Sequence, residues 1–435
     1  MNYNKQFKLI FKNSFWLGVS EVVSKLVGFL IGIWMARRFG PDLYGKWSFA
    51  LAFVTIFSVV ADFGLSTLSV RELARNKEKT KDYFLNITLL KFILGALSLG
   101  LMALIINLIE EDPETISLVY FLGIYIVINT FAAFFESIFR AREKMKYEAI
   151  CRVSQSVLLF SLAAFFIFNG FPILNISFAY ISGSLLGTVL ALVFVLRYFY
   201  PFKKNEASNG FAFSRFFDLK FCKELLLEAW PFALSTVAIF LYNYFDQTML
   251  GIMRGDKEVG LYSAAFKVVF TFQVFGDVLA VAFFPQLSKK YKEGVKSLKE
   301  IFYHFQKIML VFVVPFTILL FVFALPILRF LYGSEYTAAS NVFQVLVLSI
   351  AILLLSFPFG ETLKAADRQK SYLWAIGSGA ILNVVLNFIF IPRFGMMGAA
   401  INTLISEIYI FIFLKIKLKK LWKELESRNS SSINL

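Results

Sequence analysis

Twelve stretches of mostly uncharged, apolar residues, each close to the length that crosses a bilayer, leave this chain few ways to fold outside a membrane. They run over residues 14–36, 43–70, 83–108, 116–139, 153–170, 176–199, 230–250, 261–286, 308–330, 341–363, 372–391 and 398–414. About 20 apolar residues span the hydrocarbon as a helix, and within lipid only helices and closed barrels satisfy every backbone N–H and C=O. The chain is 58% hydrophobic and 17% charged, where a soluble domain has about 45–50% and about 25%. The expected fold is therefore all-α: a polytopic membrane protein of about twelve transmembrane helices.

The basic residues set its orientation. The formal charge of +15 would suggest nucleic acid in a soluble chain, but 34 of the 44 Lys and Arg fall in alternate segments: the N-terminus, 71–82, 140–152, 197–229, 287–307, 364–370 and 415–435. Six lie in the other turns: Arg37, Arg38, Arg254, Lys257, Arg329 and Arg393. An excess of this kind marks the cytoplasmic face, so both termini are expected there, in a multi-pass protein of the plasma (inner) membrane, with no nucleic acid partner. Met1 to Asn13 carries Lys5, Lys8 and Lys12 without a cleavage site, as a retained cytoplasmic end would. Cys151 and Cys222 fall on the reduced side. Two cysteines and one histidine leave no thiolate metal cluster and little imidazole chemistry, and no nucleotide or hydrolase fingerprint is present. The outer turns hold about 10 residues at most, too short for a catalytic domain. A transporter, a channel or a carboxylate-based membrane enzyme remains.

The halves resemble each other. Gly45-Lys46-Trp47-Ser48-Phe49-Ala50 opens the second apolar stretch, and Gly260-Leu261-Tyr262-Ser263-Ala264-Ala265 opens the eighth, 215 residues later; Asp62 and Asp277 match at the same offset. This points to two six-helix lobes related by a parallel pseudo-repeat. Residues 1–200 form the first lobe, 201–229 a cytoplasmic linker with a candidate interfacial helix at Phe211 to Glu228, 230–414 the second lobe and 415–435 a basic cytoplasmic tail.

Ionisable side chains at membrane depth are costly and mark functional or pairing sites. Glu21 and Lys25 stand four apart on one helix face, where a mutual salt bridge and substrate binding are both open. Lys91 lies near a cytoplasmic end and could snorkel, whereas Lys267 sits among Phe266, Val268, Val269 and Phe270 and suits a cavity. Asp62, Asp246, Asp277 and Glu361 are candidates for cavity-lining or ion coupling; Glu136 reads as a helix-end partner of Arg140, Glu407 as structural, and His304 as a solvated residue. Pro231, Pro285, Pro315, Pro326 and Pro358 kink or end helices.

Three longer stretches carry a family likeness: ARRFGPDLYGKWSFALAFVTIFSVVADFGLSTLSVRELAR (36–75), YNYFDQTMLGIMRGDKEVGLYSAAFKVV (242–269) and ILNVVLNFIFIPRFGMMGAAINTLISE (381–407). In this order they resemble the Wzx-type oligosaccharide flippases of the multidrug, oligosaccharidyl-lipid and polysaccharide (MOP) exporter superfamily. That resemblance implies two six-helix lobes around a hydrated cleft, alternating access, and export of an undecaprenyl-diphosphate-linked oligosaccharide repeat unit from the inner to the outer leaflet for surface polysaccharide. It also implies a polysaccharide polymerase and glycosyltransferases as partners beside the bilayer, no cofactor, and H⁺ or Na⁺ coupling as an open option. Ser24 to Phe29 and Tyr262 to Lys267 are similar to cationic motifs of the related lipid II flippases, with Lys25 and Lys267 in place of arginines and Ile31 where a further arginine stands. By that likeness Lys25 and Lys267 would bind the diphosphate, as point charges without the bidentate fork of arginine. Two other readings are an H⁺- or Na⁺-coupled drug or metabolite antiporter of the same superfamily, which wants an acid-dominated cavity, and a membrane-embedded polymerase or ligase, which wants a substantial outer loop. A scaffold without transport leaves the intramembrane charges unexplained.

Overall fold

The computed structural model describes residues 3–199 and 218–433, and among them the chain is helical throughout, without strands. The helices are α1 (Tyr3–Asp62), α2 (Leu65–Arg75), α3 (Thr80–Ile109), α4 (Pro113–Ala141), α5 (Met145–Phe168), α6 (Leu174–Phe194), α7 (Leu219–Arg254), α8 (Asp256–Thr271), α9 (Gln273–Glu293), α10 (Val295–Val322), α11 (Ala324–Tyr332), α12 (Ser340–Ala365) and α13 (Gln369–Ile433). Ten helical stretches are long and apolar enough to cross a membrane. Two of them turn back within an otherwise continuous helix. Gly40 (φ 73°) precedes Pro41 in α1, and Gly395 (φ 56°) interrupts α13. A positive φ is cheap only for glycine, and proline at a helix start forfeits no hydrogen bond, so α1 and α13 each make two passes. The protein is thus an all-α, multi-pass membrane protein with the twelve passes that its hydropathy predicts.

Three expected spans are not continuous. The second is broken after Asp62, where Phe63 (φ 48°) and Gly64 (φ 76°) leave the helical region before α2 resumes. A Cβ on Gly64 would lie 2.8 Å from the Ala229 carbonyl oxygen, so the break lets α7 approach the start of α2. The eighth is divided at Phe272 and the ninth at Phe323, between α8 and α9 and between α10 and α11. None of these three phenylalanines belongs to the punctuation that Gly and Pro provide in a sequence.

The chain forms two compact units, the first of residues up to Phe39 and from Lys46 to Phe240, the second of Gly40–Gly45 with Leu241 onward; their boundary falls inside α7. In unit 1, Leu65, Leu68, Phe84, Phe134, Phe139 and Leu225 form one buried cluster. The start of α7 joins it: Asp218 accepts from the Lys220 and Phe221 amides, its own N–H donates to Asn86, and Arg71 pairs with Glu228 at 2.7 Å. Cys151 and Cys222 are both buried thiols. Residues 211–217 of the expected interfacial segment lie outside the described residues, while 219–228 is the first part of α7. In unit 2, α13 continues into the basic tail, burying Leu418 and Leu421 beside Phe302 and Phe359. Lys299 bonds Glu426 at 2.6 Å and Arg368 bonds Glu424 at 2.5 Å.

Unit 2 also contains a reciprocal contact between turns. A Cβ on Gly45 would lie 1.8 Å from the Asp256 carbonyl oxygen, and one on Gly260 would lie 1.9 Å from that of Pro41. Both distances leave no room for a methyl group. Gly45 and Gly260 are also the pair aligned at the 215-residue offset, and Pro41 and Asp256 share that offset. Gly260→Ala should therefore destabilise the protein by about 1–3 kcal/mol through overpacking, seen as a lower melting midpoint in detergent. Gly18→Ala, with open space around it, should leave that midpoint unchanged or slightly raised.

At the start of α4, Asp112 caps the helix through the Thr115 amide at 3.0 Å and meets Lys46 at 2.7 Å. Burial pushes the Asp112 carboxyl up, but the Lys46 ammonium and the Thr115 donors outweigh it and hold it at about 2, below the ordinary 3.8. A carboxylate held low in this way stabilises the fold above its unfolded value and loses that contribution as pH falls. The melting deficit of Asp112→Asn at neutral pH should accordingly shrink between pH 3.8 and about 2.

Candidate functional site

The candidate residues fall into separate clusters within each unit. In unit 1, Glu21 and Lys25 pair at 3.4 Å along α1 while remaining largely exposed. Asp62, at the end of the second pass, accepts from Lys91 at 2.5 Å and from the Ser66 hydroxyl. Lys91 is fully buried. It does not snorkel to the interface; the break at Phe63 ends the helix at Asp62, where the carboxylate meets the ammonium of α3.

A second ionic cluster joins α4 and α5. Arg152 donates to Glu136 through Nε at 3.0 Å and Nη2 at 2.9 Å, and also lies 3.2 Å from Glu148 and 3.5 Å from Glu21. Arg140 grips Glu148 bidentately at 2.9 and 2.6 Å. Glu136 therefore pairs with Arg152 and not with Arg140, which the sequence suggested as its partner. Buried charges persist in apolar surroundings when each is paired and hydrogen-bonded, and here three carboxylates meet three cations once Lys25 is included.

Glu136 and Arg152 of this cluster line a cavity of about 350 Å³ within unit 1. Ser24 of α1, Tyr125 and Asn129 of α4, Gln155 and Ser156 of α5 and Tyr180 of α6 supply the rest of its polar lining. The Ser24 and Ser156 hydroxyls are 3.0 Å apart, and the Gln155 amide donates to Asn129 at 3.4 Å. Arg152, expected in the 140–152 loop ahead of a fifth span at 153–170, instead lies inside α5. The spacing was present: Arg152, Gln155 and Ser156, three and four apart, share one helix face.

In unit 2, Asp246 is buried and accepts from Asn387 at 2.5 Å, Thr403 at 2.9 Å and Tyr262 at 3.0 Å. Asn383 and Asn402 extend the network through Asn387, and the buried Asn402 Oδ1 has no hydrogen-bond partner. These oxygens suit a hard monovalent cation or a proton; among the described residues no group of three or more His, Cys, Asp or Glu could hold a metal. Glu407 accepts from Tyr242. Glu361 pairs with Lys364 at 2.6 Å, and Asp277, half-buried on α9, is within electrostatic range of the Tyr372 phenol along with Glu361 and Glu407. Lys267, half-buried on α8, differs from Lys25, Lys46 and Lys91, since among the described residues its ammonium has no acidic partner.

Among the described residues, twelve passes with charged and polar groups gathered between them define a polytopic membrane protein with a polar interior. The comparisons give the family. A model described as polysaccharide biosynthesis protein matches residues 10–291, and the MatE model matches residues 231–389. A putative O-antigen transporter of Shigella dysenteriae is 23% identical over 93% of this chain and 98% of its own length. A probable low-salt glycan biosynthesis flippase of Haloferax volcanii is 27% identical over 42% of this chain and 41% of its own. The lipid II flippase MurJ, 18% identical, shares the fold with a TM-score of 0.74 over 92% of this chain and 87% of its own. The chain belongs to the polysaccharide biosynthesis protein family, and these relatives are named as transporters and flippases.

The Asp62–Lys91 pair gives a direct test of pairing against function. Lys91→Met should cost about 3–5 kcal/mol by leaving Asp62 unpaired. Adding Asp62→Asn should recover most of that loss in the melting midpoint, and strictly additive losses would show that the two do not interact.

Proposed function

We propose that this transporter flips an undecaprenyl-diphosphate-linked oligosaccharide repeat unit from the inner to the outer leaflet of the plasma membrane by alternating access, both termini being cytoplasmic. Lys267 carries the reading: an ammonium inside the membrane without a carboxylate partner among the described residues is suited to an anionic group of the substrate. Lys25, paired to Glu21 but exposed, is a second contact for the diphosphate. The relatives named O-antigen transporter and glycan flippase support the substrate class, and the 34 basic residues in alternate segments support the orientation. Glycosyltransferases would build the repeat unit and a polymerase would receive it.

Asp246 and its amide and hydroxyl neighbours are the place for H⁺ or Na⁺ coupling. That acidic network and the MatE match across 231–389 also favour a second reading, cation-coupled antiport of a drug or metabolite. Export assays separate the two. Lys267→Ala should reduce surface polysaccharide at least about tenfold, the loss of one charge-assisted contact, with normal amounts of protein in the membrane. Lys267→Arg should retain export, and Asp246→Asn should remove its dependence on a proton or sodium gradient. Normal polysaccharide in Lys267→Ala and Lys25→Ala, together with resistance to cationic dyes conferred by the wild type, would replace the flippase reading by the antiporter.

A further inference from the structure

The flippase reading places phosphate contacts at Lys267 and at Lys25, neither of which lines the polar cavity of unit 1, and leaves that cavity without a role. We propose that this cavity binds an uncharged pyranose unit of the glycan head and not the diphosphate; the inference rests on the flippase reading. Three observations within unit 1 carry it.

The first is charge balance. Arg152 is held by Glu136 at 2.9 and 3.0 Å and lies 3.2 Å from the fully buried Glu148. A phosphate could use Arg152 only by displacing Glu136, whose carboxylate would be left buried and unpaired, an exchange that costs more than it returns. A neutral polyol needs no such exchange, because its hydroxyls can donate to the carboxylate lone pairs that Arg152 leaves open and accept from amides already present.

The second is the lining. A pyranose has apolar C–H faces and a rim of hydroxyls, and it needs aromatic faces and convergent small polar groups. Tyr125 and Tyr180 meet edge to face at 5.2 Å, and Trp47 backs Tyr180 at 5.2 Å. The Gln155 and Asn129 amides and the Ser24 and Ser156 hydroxyls stand on the same cavity. Amides and hydroxyls act as both donors and acceptors, which matches sugar hydroxyls whose own role is interchangeable.

The third is size. About 350 Å³ lies at the small end of pockets that enclose organic ligands, sufficient for a short saccharide.

The test uses full-length protein in lipid nanodiscs and two probes: the neutral oligosaccharide released by mild acid from the host's own lipid carrier, and inorganic pyrophosphate. Saturation-transfer NMR should show pyranose protons of the oligosaccharide in contact with the protein, undisturbed by pyrophosphate. Gln155→Ala should weaken binding about tenfold, as expected for the loss of a hydrogen bond and its packing. Gly187→Ala should do the same by another route. Its Cβ would lie 2.7 Å from the Gln155 Oε1 and 3.2 Å from the Gln155 Cβ, so it displaces the amide while leaving every charge in place, and an unchanged melting midpoint in this variant separates lost binding from lost fold. Absence of saturation transfer, unchanged affinity in both variants, or displacement by pyrophosphate would overturn the pocket. Export measured alongside keeps the two ideas apart. If Lys267→Ala blocks export while the oligosaccharide does not bind, the pocket fails and the flippase stands; if the wild type exports no lipid-linked glycan, the flippase reading itself fails.

Discussion

Hydrocarbon offers no water to complete a peptide hydrogen bond or to solvate a charge, and nearly every feature of this protein follows from that lack. The backbone answers with helices alone among the described residues. Many turns fall where glycine accepts a positive φ, as at Gly40, Gly255, Gly333 and Gly395. Side chains answer by pairing: Lys91 with Asp62, Arg152 with Glu136 and Glu148, Lys364 with Glu361, and Asp246 with three hydrogen-bond donors. Against this background a group that departs from the pattern stands out. Lys267 has no acidic partner among the described residues, and the Asn402 Oδ1 is buried without a donor.

The distribution of charge separates structure from function more clearly than the number of charges does. Unit 1 gathers its cations and carboxylates into a balanced cluster beside a cavity of amides, hydroxyls and tyrosine rings. Unit 2 holds a buried carboxylate network and a lysine, Lys267, with no acidic partner among the described residues. A substrate with a charged diphosphate and a neutral glycan presents the same two chemistries, one attracted by charge and one by hydrogen bonds and apolar faces.

Much of the fold was legible because hydrophobicity is written residue by residue. Each of the twelve passes, and the turns at Gly40 and Gly395, could be placed from apolar runs and from Gly-Pro or Phe-Gly punctuation. The breaks at Phe272 and Phe323 could not, because a phenylalanine carries no turn signal and tertiary packing decides the backbone there; the Phe63-Gly64 break carries a Phe-Gly signal but lies inside an apolar run that reads as one span. The pairing of Asp62 with Lys91 spans 29 residues, and no local pattern connects them. Arg152 was hidden for a different reason: an arginine near a helix start reads as a topological loop charge until Glu136 and Glu148 are seen beside it. The basic tail had a similar ambiguity, since Leu418, Leu421 and Trp422 form a buried stripe only once α10 supplies Phe302 to pack against.

The central claim is that this chain alone moves a lipid-linked glycan across a bilayer. The most direct measurement reconstitutes the purified protein in liposomes carrying a labelled undecaprenyl-diphosphate oligosaccharide in one leaflet and follows the accessibility of the sugar to an external glycosidase. The account predicts that the label changes leaflet in protein-containing liposomes and stays in place in protein-free ones. A distribution identical in both, with protein correctly folded and inserted, would contradict it.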